Sequence, residues 1–169
     1  MLFAAAERQD VRRRGSGGSL KRIEELRALS DDHHTALILA RRCQQAAQAK
    51  SSLSVEAVWE GVLTAFSSHL EPHFQIEEIF LLPALDDLEE FELTARIRND
   101  HARLRALRDT TPLTEDLVGE FGRLLESHVR FEEREVFEHT QDRLPEAALL
   151  AISEACESAS RTVSSSLLI

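Results

Sequence analysis

The chain of 169 residues is 43% hydrophobic and 30% charged, with a formal net charge of −10 at pH 7, which suits one domain with a sizeable core. The negative charge argues against nucleic acid as a partner, because phosphate binding requires a basic surface. Apolar runs are too short for a transmembrane helix and a signal h-region is missing, so we expect a cytoplasmic protein without a membrane partner.

Residue usage favours an α-rich fold. Glycine is scarce, tyrosine is absent, and runs of β-branched residues are missing. Cys43 and Cys156 are too few for a disulfide framework, and we expect both to be small apolar packing residues.

The domain is expected to occupy residues 20–160. Residues 1–19 contain three consecutive arginines before a Gly- and Ser-rich stretch, which predicts a flexible basic leader. We favour a mobile tail over an anion-binding arm for this leader. Residues 161–169 are predicted to be a C-terminal tail.

The first two helices follow from apolar periodicity and capping residues. The first covers about 20–49 and either runs through or restarts at Ser30, a suitable N-cap. The second covers about 54–82, with Ser54 as its cap and a local kink expected at Pro72.

The remaining helices complete the predicted fold. The third covers about 90–109, and the fourth covers about 114–140 with Thr114 as its cap. Pro145 opens a shorter helix that ends near 160, and we favour its packing on its own chain over a dimer contact. Four long helices with short connections predict an all-α fold, an up-down antiparallel four-helix bundle with a short fifth C-terminal helix.

Two helices carry the same pair of potential metal ligands. His73 and Glu77 lie four residues apart, as do His128 and Glu132, so each pair shares one helix face. Both pairs continue an apolar stripe. Burying an ionised carboxylate is costly unless a cation or strong donors meet it. The repeated pattern therefore predicts a metal site rather than satisfied core histidines.

Two further histidines are predicted to complete the site. His101 on the third helix lies at the same depth as the repeated pairs, roughly 15–20 Å from one end of the bundle, and His33 on the first helix reaches this depth if that helix starts near Leu20. His34 is the alternative on the first helix. We favour His33, because the face of His34 also carries Arg41.

Neighbouring polar residues are placed outside the ligand set. His69 is expected on the core side, either as a hydrogen-bond partner of a ligand or as a plain core residue. His139 is expected too near the bundle end. Glu78 and Glu133 each follow a ligand carboxylate, and we predict surface residues rather than alternative ligands.

The predicted site therefore has six ligands and room for two metals. The ligands are His33, His73, Glu77, His101, His128 and Glu132. Imidazole with carboxylate suits iron, manganese or zinc. Six side chains are too many for one four-coordinate zinc, and they fit two metals about 3.5–4 Å apart that both carboxylates bridge.

Four segments resemble the hemerythrin-like, His-His-Glu cation-binding family. They are 32–37 (DHHTAL), 73–78 (HFQIEE), 100–104 (DHARL) and 128–133 (HVRFEE), in this order within about 20–142. The resemblance implies a four-helix bundle with a non-haem di-iron centre, whose two irons are bridged by two carboxylates and an oxo or hydroxo group.

The chain departs from two related patterns. Ferritin-like bundles place Glu three residues before the histidine, where this chain has Leu70 and Leu125. Respiratory oxygen carriers have a second helix-three histidine where this chain has Arg105, and an Asp where it has Glu133. Fewer histidines leave more coordination positions open. This favours redox reactivity, peroxide chemistry or sensing over simple oxygen carriage.

Three functions are compatible with these residues. The favoured one is a metal-binding protein whose di-iron site binds or senses oxygen, peroxide or nitric oxide. The second is a di-iron enzyme that decomposes peroxide or oxidises iron. The third is a structural bundle that the metal merely stabilises. The oligomeric state and any signalling partner stay open.

Overall fold

The computed structural model describes the backbone of residues 23–166 and the side chains of residues 23–159. The predicted leader over 1–19 lies outside this part, as do residues 167–169 of the predicted tail. The described backbone is helical, without a strand between residues 23 and 166. No helix in this range combines the length and apolar character that crossing a membrane requires.

Five helical regions follow a 3-10 turn at Glu24–Leu26, and we number them α1 to α5. They are α1 Arg27–Ala47, α2 55–87, α3 Phe91–Asp109, α4 115–140 and α5 Glu146–Ser166. The first helix runs through Ser30, so this residue does not cap a new helix.

The two predicted N-caps are confirmed. The Ser54 hydroxyl accepts a hydrogen bond from the backbone N–H of Ala57 at 3.2 Å. The Thr114 hydroxyl accepts one from the backbone N–H of Leu117, also at 3.2 Å. Each bond satisfies one of the free N–H groups in the first turn and fixes where the helix begins.

Three π-helical segments interrupt α2 and α4. They are Phe66–Leu70 and Glu77–Leu81 in α2, and Glu132–Phe137 in α4. Pro72 and Pro83 each lie second after a π segment. The wider turn gives space to a proline ring that would otherwise clash with the preceding turn. The disturbance expected at Pro72 therefore appears as a π turn.

The fifth helix is longer than predicted. It spans 21 residues, Glu146–Ser166, whereas the prediction ended it near residue 160. Ile152 is fully buried and Cys156 is 5% exposed within the same hydrophobic cluster. Because α5 contacts Glu24–Leu26, α1 and α2, it packs on its own chain.

A close approach joins α1 to α4 at Gly122. A Cβ atom on this glycine would lie 2.6 Å from the carbonyl oxygen of Ala40 and 2.8 Å from the Cβ of Cys43. The Gln44 side chain donates hydrogen bonds to the Gly122 carbonyl and to the Glu126 carboxylate. The absence of a side chain at residue 122 thus lets the two helices pack tightly.

The core consists of two hydrophobic clusters along the helices. One contains Trp59, Phe66 and Phe121, and the other contains Leu81 and Phe137. Along each of α1 to α4, the buried apolar residues of one part of the helix belong to one cluster, and those of the other part belong to the other cluster. A predicted site residue lies near the point where the two parts meet. A layer of buried polar side chains therefore separates two apolar layers.

Candidate metal centre

The polar layer between the clusters brings together all six side chains predicted as ligands. They are His33 on α1, His73 and Glu77 on α2, His101 on α3, and His128 and Glu132 on α4. None is more than 4% exposed. Their ligand atoms form two groups of four, each within 4.8 Å: His33, His73, Glu77 and Glu132, and Glu77, His101, His128 and Glu132. Both carboxylates belong to both groups.

Glu77 lies between one histidine of each group. Its Oε1 is 3.3 Å from Nε2 of His73 on the same helix, and its Oε2 is 3.2 Å from Nε2 of His101 on α3. The offset of four residues along α2 supplies the first contact, and the packing of α2 near α3 supplies the second.

Glu132 repeats this arrangement with the other two helices. Its Oε2 lies 3.3 Å from Nε2 of His128 on the same helix and 3.1 Å from Nε2 of His33 on α1. The Nε2 atoms of His33 and His73 lie 3.2 Å apart. All four imidazoles therefore turn Nε2 toward the two carboxylates.

Several of these buried atoms have no hydrogen-bond partner. Both carboxylate oxygens of Glu77 and of Glu132, Nε2 of His101 and both ring nitrogens of His128 are in this position. The neighbouring nitrogens lie at ion-pairing distance without the alignment of a hydrogen bond. Because buried polar atoms are nearly always satisfied, these atoms need further partners. Metal ions between the carboxylates would satisfy all of them except Nδ1 of His128, which faces Asp100 instead.

Two carboxylates outside the predicted ligand set, which we call the outer carboxylates, contact the Nδ1 atoms of two of the histidines. Nδ1 of His101 lies 2.8 Å from Glu78, and Nδ1 of His33 lies 2.7 Å from Glu133. A proton on Nδ1 donates to the carboxylate and leaves Nε2 as a lone-pair ligand. Glu78 and Glu133 are half-buried, and the prediction of simple surface residues missed this role. The signal in the sequence was the second Glu of each His-x-x-x-Glu-Glu segment.

Two aspartates face the other histidines. Asp32 Oδ2 accepts from Nδ1 of His73 at 3.2 Å. Asp100 Oδ2 lies 3.9 Å from Nδ1 of His128, which is beyond hydrogen-bond length. Each aspartate directly precedes a candidate ligand on its own helix. The sequence pattern Asp-His thus supplies one inward ligand and one outward carboxylate.

Arg105 anchors the outer carboxylate of His101. Its guanidinium donates to Glu78 at 2.7 and 3.2 Å, and to Glu71 at 3.0 Å through two nitrogens. These hydrogen bonds, to Glu71 and then to Glu78, raise the pKa of Arg105. Phe74 stacks on the His101 ring at 4.0 Å between centroids. Arg105 occupies the position where respiratory oxygen carriers have a second histidine. In this chain it orients His101 indirectly, through Glu78.

The two central carboxylates have opposite electrostatic environments. Burial acts to raise the pKa of Glu77, but the positive charges of His73 and His101 outweigh it and hold the pKa well below its usual value. Burial raises the pKa of Glu132, and the negative charge of Glu77 raises it further. Without a cation, the pair therefore favours one ionised carboxylate.

The pKa values of two of the histidines also shift in opposite directions. Burial would lower the pKa of His73, but the charge of Glu77 and the contact with Asp32 raise it well above its usual value. Burial and the charge of His101 hold the pKa of His128 well below its usual value. His128 is thus a neutral imidazole, the form that coordinates a metal.

The other histidines lie at the surface. His34 is exposed whereas His33 is buried, so His33 is the α1 residue that faces the cluster. His139 is exposed beside Glu90 at 3.2 Å. The expectation of His69 on the core side was wrong: it is exposed and pairs with Ser68 at 2.6 Å. The π turn around it adds a residue per turn and rotates it outward.

Comparison with known proteins agrees with this geometry. No curated protein and no solved structure matches the chain. A family model described as the hemerythrin HHE cation binding domain matches residues 24–140, which include the whole candidate metal centre. The chain therefore belongs to the hemerythrin HHE cation-binding family.

Proposed function

We propose that this protein holds two iron ions and uses them to bind or sense oxygen, nitric oxide or peroxide. The proposed ligands are His33, His73, Glu77, His101, His128 and Glu132. The observation that carries the proposal is the set of buried carboxylate oxygens on Glu77 and Glu132 without hydrogen-bond partners. Two such groups facing each other are unfavourable unless cations lie between them.

The chemistry of the side chains fits a pair of ions. Each carboxylate belongs to both groups of potential ligands, as a bridging ligand requires. Imidazole with carboxylate suits iron, manganese and zinc, and the resemblance to hemerythrin-like proteins favours iron. Bound iron would supply open coordination positions and reversible exchange of electrons between its ferrous and ferric states.

The rest of the chain prepares the ligands. Glu78 and Glu133 fix the rings of His101 and His33, so that the Nε2 atom of each ring points inward before any ion binds. The apolar clusters on both sides keep bulk water from the charges. We further propose that α1 to α4 form an up-down antiparallel bundle around the site, with the short connections 48–54, 88–90 and 110–114 joining neighbours.

The test is the metal content of protein made in iron-replete cells, followed by absorption spectra in air and after anaerobic reduction. We expect about two irons per chain and a near-ultraviolet absorption that bleaches on reduction. His33→Ala should lower the iron content, whereas His34→Ala, the adjacent exposed residue, should not.

Other results would select other functions. Steady turnover of peroxide or of ferrous iron would identify an enzyme rather than a sensor. Zinc in place of iron, without a response to oxygen or nitric oxide, would identify a structural site. Equal iron content in the His33→Ala and His34→Ala variants would refute the proposed ligand set.

A further inference from the structure

A groove between α3 and α4 concentrates positive charge on an acidic chain. Its volume is about 400 Å³, and four arginines line it, Arg96 on α3 and Arg123, Arg130 and Arg134 on α4. The chain as a whole has a formal net charge of −10. The groove is therefore a local exception on a surface that otherwise repels anions.

The arginines of α4 form a row along one face of the helix. Arg123, Ser127, Arg130 and Arg134 follow each other at intervals of three or four residues, and all four line the groove. Such intervals place side chains on the same face. At about 1.5 Å per residue, the row is roughly 16 Å long. A single phosphate ion covers a small part of this length, so the row suits an extended anion.

Two of the arginines have no carboxylate partner. Arg130 donates to Glu126 at 2.6 Å, whereas neither Arg123 nor Arg134 forms an ion pair with a residue between 23 and 159. A guanidinium stays charged at every relevant pH and binds phosphate oxygens through two parallel hydrogen bonds. The donors of Arg123 and Arg134 are therefore available to an anion in the groove.

Arg96 is positioned from the opposite side of the groove. Its guanidinium lies 3.7 Å from the centroid of the Phe131 ring, and its Nε lies 3.8 Å from Oδ2 of Asp100. Stacking on an aromatic face leaves the edge of the guanidinium free to donate hydrogen bonds. A side chain held in this way loses less conformational entropy when a ligand binds.

Two glutamates moderate the positive charge of the groove. Glu126 accepts hydrogen bonds from Gln44 and from Arg130, so its carboxylate is already neutralised by neighbours. Glu135 is exposed and lines the groove. Its negative charge weakens the attraction for an anion, and its removal should strengthen binding.

The lining favours phosphate groups over other anionic ligands. Among the described residues that line the groove, Phe131 alone is apolar, and it is 4% exposed. A nucleobase would find no open aromatic surface for stacking, and the apolar side chains of a peptide would find no pocket. The groove thus offers contacts to oxygens and few others.

We propose that this groove binds a chain of phosphate groups, either free, as in inorganic triphosphate, or carried by a nucleoside triphosphate. The row of arginines on α4 would contact successive phosphates, and Arg96 would contact the chain from α3. None of these arginines belongs to the predicted ligand set of the metal centre. The inference therefore does not depend on the proposed function.

The test is isothermal titration calorimetry of inorganic triphosphate with the metal-free, full-length protein at low salt, where screening is weak. Metal-free protein is used because triphosphate chelates iron. Arg123→Gln combined with Arg134→Gln removes two arginines of the groove. The control combines Arg42→Gln with Arg98→Gln, two exposed arginines that do not line it. We expect a Kd about tenfold higher in the groove variant and unchanged in the control.

The difference between the two double variants decides the test, because residues 12–14 are also arginines and contribute equally in both. Equal Kd values for the two variants, or no binding of triphosphate to the wild type, would overturn the proposal. Glu135→Gln should lower the Kd about threefold, a gain that a folding defect does not produce.

Other ligands define which part of the molecule is recognised. Orthophosphate should bind about tenfold more weakly than triphosphate, because it reaches fewer arginines. A nucleoside triphosphate with the Kd of inorganic triphosphate would identify the phosphate chain alone as the ligand, and tighter binding would identify a nucleotide. A polyglutamate peptide that binds as tightly as triphosphate would refute the preference for phosphate.

Discussion

Replacing Glu132 by glutamine should have opposite effects on stability with and without metal. Gln keeps the shape of the side chain and removes its charge. In the metal-free protein Glu132 is fully buried, and both its oxygens are without hydrogen-bond partners. Burial and the charge of Glu77 both disfavour its ionised form. Removing the charge should therefore raise the free energy of unfolding of the metal-free protein by about 1 kcal/mol or more. His33 keeps its hydrogen bond to Glu133 in this variant.

With metal the sign reverses, because Glu132 belongs to both groups of potential ligands. Metal that binds only the folded state adds about 4 kcal/mol at a concentration a thousandfold above its Kd. For a chain of this length, that gain raises Tm by about 8–16 °C. Glu132→Gln should lose most of this gain, because it removes a ligand from both metal positions.

The assay is thermal unfolding in excess chelator and in excess ferrous iron under anaerobic conditions, with metal content measured on the same samples. Glu135→Gln is the control, the same substitution at an exposed residue in the same π segment. The control should respond to metal as the wild type does. The reasoning fails if Glu132→Gln binds two irons with the full gain in Tm, or if it destabilises the metal-free protein.

Three further substitutions test the support of His101 and the packing of α1 against α4. Arg105→Gln should weaken metal binding by about 10–100-fold, because Glu78 loses the guanidinium that holds it on His101; an iron titration equal to that of the wild type would contradict this role. Gly122→Ala should lower the free energy of unfolding by about 1–3 kcal/mol, because its Cβ would clash with α1. Gly61→Ala, where nothing lies within 4 Å, should raise it by about 0.5–1 kcal/mol in the same denaturant titration. Equal effects at the two glycines would refute the close approach of α1 and α4.

The arrangement of the candidate site was largely predictable because, in a regular helix, the number of residues between two positions fixes the relative directions of their side chains. The choice of His33 over His34 followed from the face that each shares on α1, and the structure buries the first and exposes the second. The offset of four residues likewise brought Glu77 to its histidine. These inferences need only local geometry, which a sequence contains.

Errors arose where the helix is irregular or where the partner lies on another helix. His69 was misplaced because a π turn breaks the period of 3.6 residues, and the sequence gives little warning of it. The roles of Glu78 and Glu133 depend on histidines 23 and 100 residues away. Long-range packing decides such contacts, and spacing along one helix does not reveal them.

The outer carboxylates tie the two halves of the molecule to each other. Glu78 on α2 holds His101 on α3, and Glu133 on α4 holds His33 on α1. Neither pair of consecutive helices, α1 with α2 or α3 with α4, orients its own first histidine in this way. The ligand geometry therefore depends on contacts between the two pairs of helices. Tight metal binding would then require complete tertiary assembly. In a partly folded molecule the imidazoles would not be fixed in position, and the affinity for an ion would be low.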